Sequence, residues 1–423
     1  MDRRIIIHNP FFDAWYGINL YKFLTRRVSH LKYSYLGDYL IRTKNKNIII
    51  YVELNQNSFF GNRLLIRLGI MPLITLTEFF FWCLINRINI FSLNIIFNKN
   101  NIRPNDVLLS NSYCNLDLKY RYEDLESIDA ITAFILQHSF ADTDIISDNS
   151  KKLGVDLFIA ENNLKKNSAY FKNYFNWYKK DVYHLPYVYK PRFKNLKLFN
   201  QRKNICFATG TYENLKDHPR YKGLKDFFEI ETIHPMRKII YENANDMKDI
   251  IYSKISDYNE VELKSVNGGV IIKIYNRLYN TFFVKQTNYF KFDIVAEYNN
   301  AKMFIVPEEA NNLPGIGFVE GMACGSAYIG LDDPMYKDIG LLPEVHYISY
   351  DGTLSDLKIK IRYYQDNNAE LEKIAKRGYE FAKENFNGEH VAQKLYNDLM
   401  KSEISSSFVI NNKKDNVLKD IAK

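Results

Sequence analysis

Short aliphatic runs alternate with helical patterns along nearly the whole chain, and this alternation restricts the fold more than any single motif does. Residues 4–8 read as a strand ended by Asn9-Pro10, and residues 16–27 have helical spacing. Residues 47–54 and 106–110 are further β-rich runs, while the apolar segment 130–137 fits either strand or helix. Residues 155–160 and 182–188 read as short strands on either side of a helical stretch, 164–178. Strands separated by helices make βαβ units, which assemble into mostly parallel sheets.

A basic, proline-containing stretch at 190–202 reads as a linker, and a second alternating set begins at 205–208. Residues 222–228, 247–258, 270–279 and 293–301 read as helices, and 303–306, 327–330 and 345–350 as strands. Residues 318–324 open another helix. Thr353 and Asp356 resemble a capping box at the head of a helix at 354–364. Helices at 369–385 and 389–400 precede a polar tail. The expected organisation is a Rossmann-like domain over 1–198, a second over 199–400 and a tail over 401–423. A length of 423 residues suits two or three domains.

Hydrophobic residues make up 46% of the chain and charged residues 25%, which excludes a wholly disordered protein. The formal charge of +8 suits nucleotides, phosphates or an anionic membrane surface. No concentrated Lys/Arg tail is present, so nucleic acid is not an expected partner. The four cysteines form no C-x-x-C pair, which argues against a zinc or redox motif and fits a reducing compartment. The first apolar run is too short for a signal peptide. A cytoplasmic protein is expected, with the inner face of the membrane within its reach. Residues 68–85 are strongly apolar yet contain Pro72 and Glu78. A spanning helix needs about 20 apolar residues. Buried helices are the first reading of this stretch, a peripheral membrane-contacting face the second and a true span the last.

The stretch 301–350 carries the chemistry. A strand leads to Glu308 and Glu309, then to Asn312, Gly315-Ile316-Gly317 and a helix bearing Glu320. Glycines between strand and helix let backbone N–H groups approach a phosphate. A carboxylate one turn into the helix can accept both ribose hydroxyls. In isolation, the G-x-G is equally a tight packing loop, and Glu320 a solvated acid that the helix dipole favours.

The wording from Met303 to Glu309, followed by Pro314-Gly315-Ile316-Gly317-Phe318-Val319-Glu320-Gly321-Met322-Ala323-Cys324-Gly325, resembles the donor-site signature of GT-B glycosyltransferases. It looks most like the group related to family 4. Gly321 replaces the usual Ala. The resemblance is close over about 293–357 and only architectural over the first half. It implies an α/β fold of two doubly wound, Rossmann-like domains facing a cleft. A nucleotide-sugar donor would sit on the second domain and a glycan or lipid-linked acceptor on the first.

In the family's Glu-x7-Glu motif the second Glu maps to Glu320, the implied ribose ligand, and the first falls on Asn312. Either Asn312 substitutes there or Glu308 or Glu309 reaches in, and the departure leaves the retaining outcome open. Thr209-Gly210-Thr211 and Arg220-Tyr221-Lys222-Gly223 fit the family's glycine turn and basic pair. Gly210, Arg220 and Lys222 are therefore implied donor contacts, and Arg237 in His234-Pro235-Met236-Arg237-Lys238 is a further basic candidate, with ordinary surface charge as the other reading of the cations. Stabilising the departing diphosphate is their task.

His138 ends an apolar segment where the family places a histidine facing sugar and acceptor, and it is the implied catalytic residue. His8 and Asp13 follow the first strand and are acceptor-site candidates, with turn chemistry as the alternative. Asp142-Thr143-Asp144 has the form of a metal-binding Asp-x-Asp, but helix capping accounts for Asp142. No metal and no cofactor other than the nucleotide sugar are expected. The expected activity is sugar transfer to an acceptor hydroxyl in cell-surface glycan or polysaccharide synthesis. A GT-B nucleotide-sugar epimerase and a non-catalytic nucleotide- or glycan-binding homologue are the alternatives.

Overall fold

The computed structural model describes residues 3–10, 35–54, 69–85, 87–110, 125, 128–136, 140, 142–215, 221–257, 269, 271–272, 275–276, 279 and 292–401. The helical stretch expected at 16–27, most of that at 270–279, and the tail beyond 401 lie outside them.

The first half forms one sheet from β1 (Ile5–His8), β2 (Ile48–Tyr51), β3 (Asn94–Ile96), β4 (Val107–Ser110), β5 (Ile131–Ile135), β6 (Leu157–Ala160) and β7 (Tyr183–His184). Its order is β3-β2-β1-β4-β5-β6-β7, and every pairing is parallel. Runs such as Ile5-Ile6-Ile7 and Ile48-Ile49-Ile50 are buried on both faces, which is what a helix-covered parallel sheet demands. Ile5 lies opposite Ile48 on one side and Val107 on the other. The strand order therefore reverses at β1. The ambiguous apolar segment at 130–137 is strand.

The second half forms β8 (Lys203–Ala208), β9 (Thr211–Tyr212), β10 (Ile251–Ser253), β11 (Ser256–Asp257), β12 (Ala301–Ile305), β13 (Ala327–Leu331) and β14 (Ile348–Tyr350). Five strands pair in the order β10-β8-β12-β13-β14, all parallel, and β9 pairs separately with β11. This sheet reverses at β8.

Three local expectations change. The helix expected at 247–258 is a 3-10 turn, Ala244–Met247, followed by β10 and β11. Ile251 pairs with Cys206 on β8, and a strand of three residues has no period to detect. The stretch at 164–178 splits into helices Leu164–Asn167 and Ala169–Tyr174, because the Ser168 hydroxyl accepts from the Phe171 amide and starts a new helix. In the capping box, Thr353 accepts from the Asp356 amide at 3.1 Å, while the Asp356 carboxylate reaches the Asp351 amide rather than that of Thr353.

Helix Gly388–Leu399 follows the second sheet in sequence but packs against helix Tyr35–Arg42 and the first. Tyr183 on β7 donates to Asp398 at 2.8 Å, and Arg3 donates to the carbonyl oxygens of Leu399 and Lys401. Elsewhere the halves meet through Asn311, which donates to Ser168 at 2.7 Å, and through the Lys166–Asp338 ion pair. Tyr170 stacks on Phe228 in the same region.

Candidate active site

The carboxyl ends of β8 and β12 frame a crevice where the second strand order reverses, the usual ligand position in an open parallel sheet. Arg237, buried on helix Pro235–Glu242, spans it. Its Nε donates to the Pro307 carbonyl at 2.8 Å and Nη1 to the Thr211 carbonyl at 3.0 Å. Both glycine turns accommodate this side chain. A Cβ on Gly210 (φ 137°) would stand 2.9 Å from its Cδ, and one on Gly315 would stand 3.0 Å from Nη2. A buried cation thus lies beneath two bare backbone turns, an arrangement that favours an anion above it.

Gly317 does different work. A Cβ there would meet Val306 at 2.8 Å and the Tyr298 hydroxyl at 2.9 Å, so the glycine allows the helix to sit close on its strand. Tyr298 donates to the Gly317 carbonyl, which fixes that contact. Glu320 is buried in the first turn of helix Gly317–Ala323. The Thr209 hydroxyl after β8 and the Ser256 hydroxyl on β11 are buried with no hydrogen-bond partner among the described residues.

The acidic pair divides. The Glu308 carboxylate is enclosed by the Tyr328, Tyr336 and Tyr350 hydroxyls and the Leu331 amide, which joins the ends of β12, β13 and β14. Burial pushes its pKa up against the pull of these donors. This geometry makes Glu308 a structural tie. Glu309 is partly exposed, 3.7 Å from His234. Asn312, with a left-handed backbone (φ 56°), donates to Asp333 at 2.8 Å. Asn312, Asp332 and Asp333 line a cavity of about 390 Å³ together with Glu309, Met236 and Tyr350. The Asp332-Asp333 pair went unread in the sequence, where Asp333-Pro334 signals only the helix start that it also makes.

Lys222 is exposed and paired with Asp226 on its own helix at 2.6 Å, a geometry that fits the surface-charge reading. Arg220, Asp13 and His138 lie outside the described residues. Asp142 does not cap its helix as expected: its backbone is left-handed (φ 53°) and its carboxylate makes no cap bond.

On the first sheet, His8 closes β1 at the strand-order reversal and is buried. Its Nε2 is 2.8 Å from the Glu53 carboxylate, and its Nδ1 has no hydrogen-bond partner among the described residues. Asn9, at φ 38°, accepts from the Glu53 amide at 2.9 Å, which locks the two strand ends together. The sequence reading missed Glu53. Its one signal is a carboxylate closing an otherwise apolar run. If Glu53 accepts the Nε2 proton, Nδ1 carries the lone pair and can take a proton from a hydroxyl. Asn162, two residues beyond β6, is fully buried with neither amide atom bonded among the described residues.

The chain is similar to known proteins over part of its sequence and in its fold. The sequence model of glycosyl transferase family 90 matches residues 321–420. No curated protein matches the sequence. HepE from Anabaena, solved with UDP and glucose, superposes with a TM-score of 0.50 at 8% identity, covering 94% of this chain and 99% of its own. Sucrose-phosphate synthase from Thermosynechococcus elongatus gives 0.49 at 12% identity, over 93% and 98%. Pneumococcal O-GlcNAc transferase GtfA, solved with UDP and GlcNAc, gives 0.39 at 12%; that match covers 71% of this chain, which spans 57% of GtfA. Two parallel sheets with reversed strand order, together with the HepE likeness, establish the GT-B glycosyltransferase fold for this chain.

Proposed function

We propose that this protein moves a sugar from a nucleotide-sugar donor to a hydroxyl of a glycan acceptor, free or lipid-linked. One observation carries the reading. Buried polar groups without partners among the described residues stand at or within three residues beyond strand carboxyl ends in both sheets: His8 ends β1 and Asn162 follows β6 in the first, and Thr209 follows β8 and Ser256 follows β10 in the second. An unpaired buried polar group costs about 1–3 kcal/mol, so ligand contacts there return what folding alone leaves unmet.

The Gly210 and Gly315 turns, Arg237 and Glu320 would hold the nucleotide diphosphate and ribose. The acceptor oxygen attacks the anomeric carbon, the bond from that carbon to the diphosphate oxygen breaks, and the hydroxyl proton passes to His8 Nδ1. Glu53 holds the imidazolium that forms. The Arg237 cation opposes the charge that leaves with the diphosphate. A single displacement of this kind inverts the anomeric centre. Nothing in the scheme requires a cofactor.

Thermal unfolding with UDP, GDP, ADP and CMP tests the donor site. One of them at 100 times its Kd stabilises the wild type by about 2.7 kcal/mol, and Glu320→Ala loses that shift. His8→Gln keeps the shift and loses transfer at least about 100-fold. No shift with any nucleotide removes the reading. Conversion of the donor sugar to an isomer without acceptor replaces it with epimerisation.

A further inference from the structure

Helix Met71–Ile85 is half buried, and apart from Thr77 the exposed side chains described on it are apolar. Phe79, Trp82 and Cys83 enter the core of the first half, and the Thr75 hydroxyl donates to the Leu54 carbonyl. On the opposite side Leu73, Leu76, Phe80 and Leu84 are 67%, 38%, 57% and 63% exposed. Spacings of three and four residues set these four side chains within one stripe along the helix. Ile70 just before the helix and Phe91, in the 3-10 turn Ile90–Ser92 that follows it in sequence, are also exposed, Phe91 at 96%. Thr77, whose hydroxyl would otherwise add polarity nearby, donates back to the Leu73 carbonyl.

Basic residues outnumber acidic ones in the sequence around this helix. Residues 39–105 contain Arg42, Lys44, Lys46, Arg63, Arg67, Arg87, Lys99 and Arg103, against only Glu53 and Glu78. Glu53 is buried beside His8. Arg42, Lys44, Lys46, Arg87 and Arg103 are exposed. Asn94 donates to the Lys46 carbonyl, which places the Arg42–Lys46 stretch beside the segment that begins at Phe91.

We propose that this face docks on the surface of an anionic lipid bilayer, with Leu73, Leu76, Phe80, Leu84 and Phe91 entering the acyl boundary and the surrounding cations meeting the headgroups. The helix has 15 residues. At about 1.5 Å per residue it is too short for a hydrocarbon core of about 30 Å. Among the described residues no helix is long and apolar enough to cross a membrane, so the helix lies in the interface plane. A second copy of the chain fits the surface less well, because a two-fold contact through this stripe sets its cations against their own images. An apolar strip flanked by Lys and Arg is what an interfacial helix requires. The inference stands apart from sugar transfer and survives its failure.

Flotation of the full chain with vesicles of phosphatidylglycerol and phosphatidylcholine, against phosphatidylcholine alone, is the test. The expected result is at least tenfold more protein bound to the anionic vesicles. The triple variant Leu73→Gln, Phe80→Gln, Leu84→Gln should lose at least tenfold of that binding with an unchanged Tm. Should the triple variant unfold, Phe80→Trp keeps the surface apolar and supplies a reporter. The fluorescence it adds to that of the wild type should shift to the blue on anionic vesicles and be quenched by brominated lipid. Wild-type binding no greater than to neutral vesicles overturns the proposal. So does a triple variant that binds as wild type, a Phe80→Trp signal that brominated lipid leaves unquenched, or a wild-type dimer that the triple variant dissociates.

Discussion

His184 closes β7 with its imidazole buried and Nε2 3.0 Å from the Glu161 carbonyl. Burial lowers its pKa from 6.5 to about 4. Between those values the unfolded chain binds a proton that the folded chain refuses. Stability contributed by neutral His184 is therefore complete above pH 6.5 and lost as pH falls toward 4, a change of roughly 3 kcal/mol. Glu308 acts oppositely, since its raised pKa makes the folded chain hold a proton above the usual carboxylate range. That contribution is present in wild type and His184→Gln alike and cancels in their difference. Unfolding free energies from pH 6.5 to 4.5 should fall more steeply in wild type, by about 1.4 kcal/mol per pH unit. Parallel slopes would show that the imidazole titrates normally. The same burial explains which cations the sequence could rank. Arg237 and Lys222 look alike in basic, helical wording, and only the fold separates them. The partners of Arg237 are carbonyl oxygens at Thr211 and Pro307, remote in sequence, whereas Lys222 finds Asp226 one turn away.

At the level of elements, helix Gly317–Ala323 and β12 show how one residue records its neighbour. A Cβ on Gly321 would lie 2.3 Å from the Phe304 ring, which is fully buried between Tyr298 and Tyr328. The wording that resembles GT-B enzymes has Ala at this point, and Phe304 is the reason this chain cannot. Gly321→Ala should destabilise by about 1–3 kcal/mol through overpacking. Phe304→Leu in that background should recover more than half of the loss, read as denaturant midpoints. A neutral Gly321→Ala would mean that the ring moves aside freely. The surrounding elements were legible because β12 and β13 carry short apolar runs, such as Met303-Phe304-Ile305, bounded by turn residues. The β10–β11 region was not, because its strands are shorter than any period and are fixed by pairing with β8 and β9. The crevice glycines and Glu320 were readable as wording. The His8–Glu53 pair was not, because it depends on β1 and β2 lying side by side.

Among the described residues, the contacts that join the halves include those of Asn311, Asp338 and Phe228 with residues 166–170, that of Tyr187 with Phe318, and the return of helix Gly388–Leu399 to the first sheet. Asp398 anchors that return. It is buried and accepts from Tyr183 at 2.8 Å and Lys401 at 2.6 Å, with Lys394 at 3.4 Å. Burial opposes its ionisation, but Lys401, Tyr183 and Lys394 outweigh that cost and hold its pKa below the usual value. Asp398→Ala leaves the Tyr183 hydroxyl buried without its acceptor, at a cost of about 1–3 kcal/mol. Its functional effect should be selective if the two halves share the reaction as proposed. The proposed nucleotide pocket draws on residues 209–320, whereas the donors to Asp398 are Tyr183, Lys394 and Lys401, so nucleotide Kd should stay within about twofold. In the proposed scheme the base and the donor sit on different sheets, and a displacement of about 1 Å between reacting groups can cost about 100-fold in rate. Transfer by Asp398→Ala should therefore fall at least tenfold while calorimetry shows nucleotide binding intact. Equal losses of binding and transfer would place the effect in general unfolding. Unchanged transfer would mean that the other contacts between the halves set the position of one against the other.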